Sequence, residues 1–166
     1  MKICLYAAVC ALAVFQFSEN TADPDLWGHV TFGEQMLRTH AITRVETYSW
    51  TARGQPWINH EWLAETALGT AHTLLGGAGI LLLKMLVGLA TFAVALRLAL
   101  AKLSGSGERL LAWAFAALAV VEISYGFAAR PQIFTALFLA VELSVLVRAN
   151  AGAVAWAAGL PLLFIV

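Results

Sequence analysis

GILLLKMLVGLATFAVALRLAL, Gly79–Leu100, decides the fold. Its apolar length matches the roughly 20 residues that a helix needs to cross a bilayer. Similar runs lie on both sides. Ile3 to Phe17 follows Lys2, Leu110 to Ala128 and Gln132 to Val147 follow the long run, and a further run starts near Ala153. Composition agrees, with 61% hydrophobic residues, 12% charged and a mean hydropathy of +0.79. A soluble domain is about 45–50% apolar and about 25% charged, so the excess asks for a lipid solvent. The expected fold class is therefore all-α: polytopic transmembrane helices with an outer loop of amphipathic interfacial helices.

Residues 1–17 read as a signal anchor, because Asn20-Thr21-Ala22 is a poor cleavage site and Val9-Cys10 a poor lipobox. Residues 18–78 form the loop, and 79–166 the second to fifth spans. The last run, Ala153 to Val166, is short for a span and broken by Gly159 and Pro161. The chain is expected to be the N-terminal portion of a longer protein, with an incomplete site. Lys2, Arg97, Lys102, Arg109 and Arg148 fall on one side at alternate crossings. The positive-inside rule makes that side cytoplasmic and turns residues 18–78 outward. Arg38, Arg44 and Arg53 lie within the outer loop, balanced by acids. Ten basic and ten acidic residues leave no net charge and no basic stripe, which excludes a nucleic-acid partner. Cys4 and Cys10 share the first apolar run and read as small buried hydrophobes.

Chemistry is concentrated between Asp23 and Glu65. Asp23 reads as the N-cap of a helix from Pro24 to about Thr39, with Leu26, Val30, Gly33 and Leu37 on one stripe and a Glu34–Arg38 pair on the other face. Val45 to Thr51 reads as extended, and Ala52-Arg53-Gly54 as a turn. Asn59 should cap a second helix, His60 to about Leu75, with Leu63, Ala67, Thr70 and Leu74 inward, and Glu61, Glu65 and His72 outward. Gly76-Gly77 ends it. Trp27, Trp57 and Trp62 belong at headgroup depth.

Asp23 and Asp25, just beyond the first span, are candidate catalytic carboxylates: a general base on an acceptor hydroxyl, or contacts to a divalent cation. Helix capping is the competing reading for Asp23, and dipole complementation for Asp25. His29, His60 and Glu61 would shape a polar substrate pocket, or serve only as structural hydrogen-bonding groups. Zinc is the least favoured reading of this cluster: His and Asp are suitable ligands, but the spacing matches no compact metal motif, and no metal ligand is assigned. Lys84 and Glu122 both lie about 9 Å inside their spans at about 1.5 Å per residue, a matched depth that predicts an ion pair. The alternative for Lys84 is a lipid phosphate. Arg130-Pro131 opens the fourth span, where the arginine either holds a phosphate or snorkels to the interface.

Asp23-Pro24-Asp25-Leu26-Trp27-Gly28-His29, Tyr48-Ser49-Trp50-Thr51, Gly54-Gln55-Pro56-Trp57, His60-Glu61-Trp62-Leu63-Ala64-Glu65 and Ala129-Arg130-Pro131-Gln132 together resemble a group of bacterial multi-spanning proteins related to GT-C-class glycosyltransferases. The likeness runs through essentially the whole chain and departs at Gly28, where the group often carries a second aromatic. It implies transfer of a sugar from a polyprenyl-phosphate donor at the outer face of the bacterial inner membrane. The acidic base or metal contact of that class then falls on Asp23 or Asp25, with Arg130 or Lys84 near the phosphate. Implied partners are the lipid-linked donor and membrane lipids. The alternative is a non-enzymatic membrane scaffold or transporter fragment, although the polar residues gather in the loop and no internal repeat is visible.

Overall fold

A computed structural model of the protein describes residues 2–149, and the run from Ala153 expected as a further span lies outside them. Among the described residues five helices follow in order: α1 (Lys2–Phe17), α2 (Leu26–Thr39), α3 (Trp62–Leu100), α4 (Ser106–Gly126) and α5 (Gln132–Ala149). Among the described residues there is no strand, only the isolated bridges Ala22–Ala129 and Val45–Pro56. By length and composition α3 and α4 are long and apolar enough to cross a membrane; α1 and α5 are shorter apolar helices.

α3 is bent rather than continuous. Gly76 takes φ 60° and ψ −147°, a conformation that side-chain-bearing residues rarely reach. The break separates residues 62–75, the outer half by the sidedness expected from sequence, from residues 77–100, the inner half. A Cβ on Gly79 would lie 2.0 Å from the Ala71 carbonyl oxygen, so the bend needs glycine there as well.

The inner half of α3 packs with α1, α4 and α5 around Ala13, Phe17, Val87, Val120, Phe127 and Ile133. Phe17 lies across Gly88, where a Cβ would come within 2.7 Å of its ring, and meets Phe127 at 5.0 Å between centroids. Tyr6 stacks on Trp113 at 4.6 Å, and Gln16 donates to Ser124 at 2.9 Å, so α1 and α4 run in the same direction. Near the other end of this bundle Cys10 shares a cavity with Arg97 and Arg109. Several of the bundle's large apolar side chains lie outside this core: Leu82, Leu86, Leu111, Phe115, Leu118 and Ile123 are all exposed. Surface of this kind marks contact with lipid or protein.

Two expectations about the inner bundle change. Lys84 is buried, and its Nζ donates to the Glu19 carbonyl (2.6 Å) and to Thr21 Oγ1 (3.1 Å). It makes no ion pair with Glu122, which is exposed on α4. Matched depth did not imply facing directions: Lys84 turns to the polar linker after α1, where backbone oxygen is close. Cys4 and Cys10 are exposed rather than buried, since α1 turns Val9, Ala13 and Phe17 inward.

α2 lies across the outer half of α3 and meets it almost backbone to backbone. A Cβ on Gly33 would stand 1.9 Å from the Glu65 carbonyl oxygen, and one on Gly69 would stand 2.6 Å from Glu34 N. Beside this crossing Leu26, Val30, Leu68, Ile80 and Ala129 form a second buried cluster. α2 buries Leu26, Val30, Gly33 and Met36, close to the expected stripe. On α3 the face differs: Ala64, Glu65, Leu68 and Gly69 are buried, whereas Leu63 and Leu74 are exposed. Small residues admit a neighbouring backbone more closely than leucine does, so this helix packs through its small and polar face. Thr66, Thr70 and Thr73 each bond back to the carbonyl four residues earlier (2.7–2.8 Å). Glu34 does not pair with Arg38; it accepts from or shares a proton with His72 Nδ1 at 2.7 Å, across the two helices.

The crossing yields a test. Gly33→Ala is expected to lower unfolding stability by about 1–3 kcal/mol or more through overpacking. Gly28→Ala, where a Cβ meets nothing within 4 Å, should be neutral or slightly stabilising. Equal melting of Gly33→Ala and the parent in detergent would show that the helices do not approach so closely.

Candidate active site

Between α1 and α2 the chain is tied to the mouth of the bundle. Lys84 holds Glu19 and Thr21, Ala129 N donates to the Thr21 carbonyl (3.3 Å), and Arg130 Nη1 donates to Asp23 Oδ2 (3.1 Å). Asp23 Oδ1 accepts from Asp25 N at 3.0 Å, a local turn that launches α2 one residue later. The expected cap therefore shifts: Asp25, not Asp23, occupies the N-cap, and its carboxylate makes no capping bond. Asn59 acts similarly on α3. Its Oδ1 accepts from Glu61 N (3.1 Å), while the cap position itself is Glu61.

The crossing of α2 on α3 brings three groups together. His29 Nδ1 lies 3.1 Å from Glu65 Oε1 and 3.6 Å from Glu61 Oε2. Glu61 and Glu65 are four apart at the start of α3 and so share a face. Each carboxylate is held by its other oxygen: Glu65 Oε2 accepts from Asn59 Nδ2 at 2.6 Å, and Glu61 Oε1 from Gln132 Nε2 at 3.4 Å. Glu65 is only 4% exposed, so its charge must be compensated where it stands. The Glu65 hydrogen bond raises the pKa of His29 above its ordinary value; burial opposes this, and the charges of Glu61, Glu65 and Asp25 add to it. Donor atoms of these three residues lie within 4.8 Å of one another, a spacing at which they could hold a metal ion.

A cleft of about 390 Å³ opens over this cluster, lined by Asp25, His29, Phe32, Trp57, His60 and Glu61 among others. Its aromatic wall is braced by the 44–57 segment, where Glu46 N bonds to the Gln55 carbonyl and Trp57 N to the Arg44 carbonyl, both at 2.9 Å. Phe32 stacks on Trp57 (6.2 Å) and meets Tyr48 edge-on (5.0 Å). Glu46 caps the turn by accepting from Ser49 N (2.7 Å) and Tyr48 N (2.6 Å), and these bonds hold its pKa below the usual carboxylate value. His60 and Glu61 also line a second groove of about 340 Å³, which runs along α5 past Phe134, Phe138 and Leu139 to Glu142. A polar cleft thus adjoins a largely apolar groove.

Of the residues singled out from sequence, Asp25, His29, His60 and Glu61 line one cleft. Asp23 and Arg130 pair with each other at its edge, next to Pro24 and Pro131, and Lys84 is buried under the linker. Glu65, Asn59 and Gln132 were not singled out as site residues. The four-residue spacing of Glu61 and Glu65 was a readable signal for the first; the other two depend on how the chain folds back.

The raised pKa of His29 predicts a pH dependence. Its interaction with the carboxylates should be fully present below 6.5 and disappear as pH rises through the higher folded-state value. Melting temperature followed upward from 6.5 should fall more for the parent than for His29→Gln, and parallel curves would remove the role given to the imidazole.

Comparison with protein-family models, with curated proteins and with solved structures gives no match, and the chemistry of the cleft therefore rests on its own side chains.

Proposed function

We propose that the protein is a GT-C-like membrane glycosyltransferase that moves a sugar from a polyprenyl-phosphate donor to an acceptor hydroxyl. One observation carries this reading: the polar cleft around His29 and Glu61 continues into the apolar groove along α5, with His60 and Glu61 common to both. An amphiphile with a polar head and a hydrocarbon tail suits such a pair of surfaces. The helices α1, α3, α4 and α5 cross the membrane in this reading. The cleft faces the periplasm or outside, because Lys2, Arg97, Lys102 and Arg109 lie toward the opposite end.

Of the two aspartates, Asp25 is the better general base. It lines the cleft, and its carboxylate forms no side-chain hydrogen bond or ion pair among the described residues. Asp23 instead holds Arg130, whose remaining guanidinium donors can take a phosphate oxygen. The acceptor hydroxyl gives its proton to Asp25 as its oxygen bonds to the anomeric carbon. The bond from that carbon to the phosphate oxygen breaks, and polyprenyl phosphate leaves with the electron pair. Lys84, enclosed under the linker, positions that linker rather than touching the donor.

Transfer of labelled sugar from a polyprenyl-phosphate donor, assayed in membranes carrying the protein, tests the reading. Asp25→Asn should lower the rate by about 10²–10⁴-fold, the usual contribution of a general base. Full activity in that variant excludes the base, and no transfer by the parent with any donor excludes the function.

A further inference from the structure

We propose that His29, Glu61 and Glu65 form a binding site for one divalent ion of the zinc or manganese class, open toward the cleft. The inference deepens the reading above by giving the site an ion, yet it can fail separately, because ion binding is measured without sugar transfer.

Three features carry it. The first is spacing. Ligand bonds of about 2.0–2.2 Å in a tetrahedral zinc site place neighbouring donor atoms about 3.4 Å apart. The separations from His29 Nδ1, 3.1 and 3.6 Å, bracket that value, and all three donors fall within 4.8 Å. The second is orientation from outside the triad. Asn59 and Gln132 each hold the far oxygen of one carboxylate, which leaves the near oxygen turned toward the imidazole. Amides in this position orient ligands in metal sites, and their loss commonly costs 10–100-fold in affinity. The third is charge. Glu65 is almost fully buried, and a neutral imidazole with two carboxylates carries two negative charges that a divalent cation cancels. A protonated His29 cancels only one of them.

The donor set also narrows the ion. An imidazole suits zinc and other first-row ions, whereas calcium and magnesium prefer oxygen alone. Three protein ligands leave a further coordination position, as in sites where a water or substrate oxygen binds. The cleft lies on that side, with Asp25 and His60 among its walls. A water or phosphoryl oxygen would enter there.

Purified protein in detergent, stripped with chelator, is dialysed against Zn²⁺ or Mn²⁺ and analysed for bound metal. One ion per chain is expected, with a rise in melting temperature on metal addition. His29→Gln and Glu65→Gln should abolish both effects, and Asn59→Ala should weaken binding by about 10–100-fold. His40→Gln and His72→Gln should retain binding, which separates the site from adventitious imidazole contacts. Glu61→Gln alters a more exposed ligand and covers the case in which the Glu65 variant fails to fold. No retained metal in the parent, or equal retention in His29→Gln and Glu61→Gln, overturns the site. Metal binding without any sugar transfer would leave it standing and count against the transferase alone.

Discussion

The approach of α2 to the outer half of α3 at Gly33 and Gly69 is the constraint on which the rest of the outer layer depends. With no side chain between them, the two backbones come close enough for short polar groups to reach across. On one flank His29 reaches Glu65; on the other Glu34 reaches His72. Each helix therefore supplies one imidazole and one carboxylate. A single Cβ at either glycine would spread both pairs, so packing and chemistry here are the same event.

Polarity in this layer departs at several positions from that of a water-soluble helix, although Ala64 and Leu68 are buried as such a helix would have them. The outer half of α3 turns Glu65 inward and Leu63, Leu74 and Leu75 outward. Such an arrangement is costly in water, where the leucines gain nothing and the carboxylate loses its hydration. In an apolar solvent the preference reverses, because buried polar partners are then the best available. The linker between α1 and α2 follows the same logic. Its backbone oxygen at Glu19 and its Asp23 carboxylate receive the Lys84 ammonium and the Arg130 guanidinium.

Much of the secondary structure was legible in the chain. Apolar length marked α3 and α4, Gly76-Gly77 marked the break, and Gly54 with its neighbours marked the turn under the aromatic wall. Helix faces were less legible. Large side chains dominate a periodicity reading, whereas α3 packs through Ala64, Leu68 and Gly69. Partners were harder still. Lys84 and Glu122 share a depth but not a direction, and depth is all that sequence spacing measures. His29, His60 and Glu61 were recognised as a polar set from their residue types. That Gln132 would brace it required knowing that α5 begins beside the first turn of α3, whereas Asn59 does so from the chain just before that turn.

The threonines of the outer helix change what its composition means. Thr66, Thr70 and Thr73 have their hydroxyls already engaged by main-chain oxygens of the previous turn. Transfer into hydrocarbon then strips little water from them, and the segment behaves as greasier than a residue-by-residue scale suggests. In the membrane setting proposed above, how deeply it would ride in a bilayer is left to two indoles, Trp27 on α2 and Trp62 at its own first turn, because amphipathic rings favour the carbonyl region of lipids.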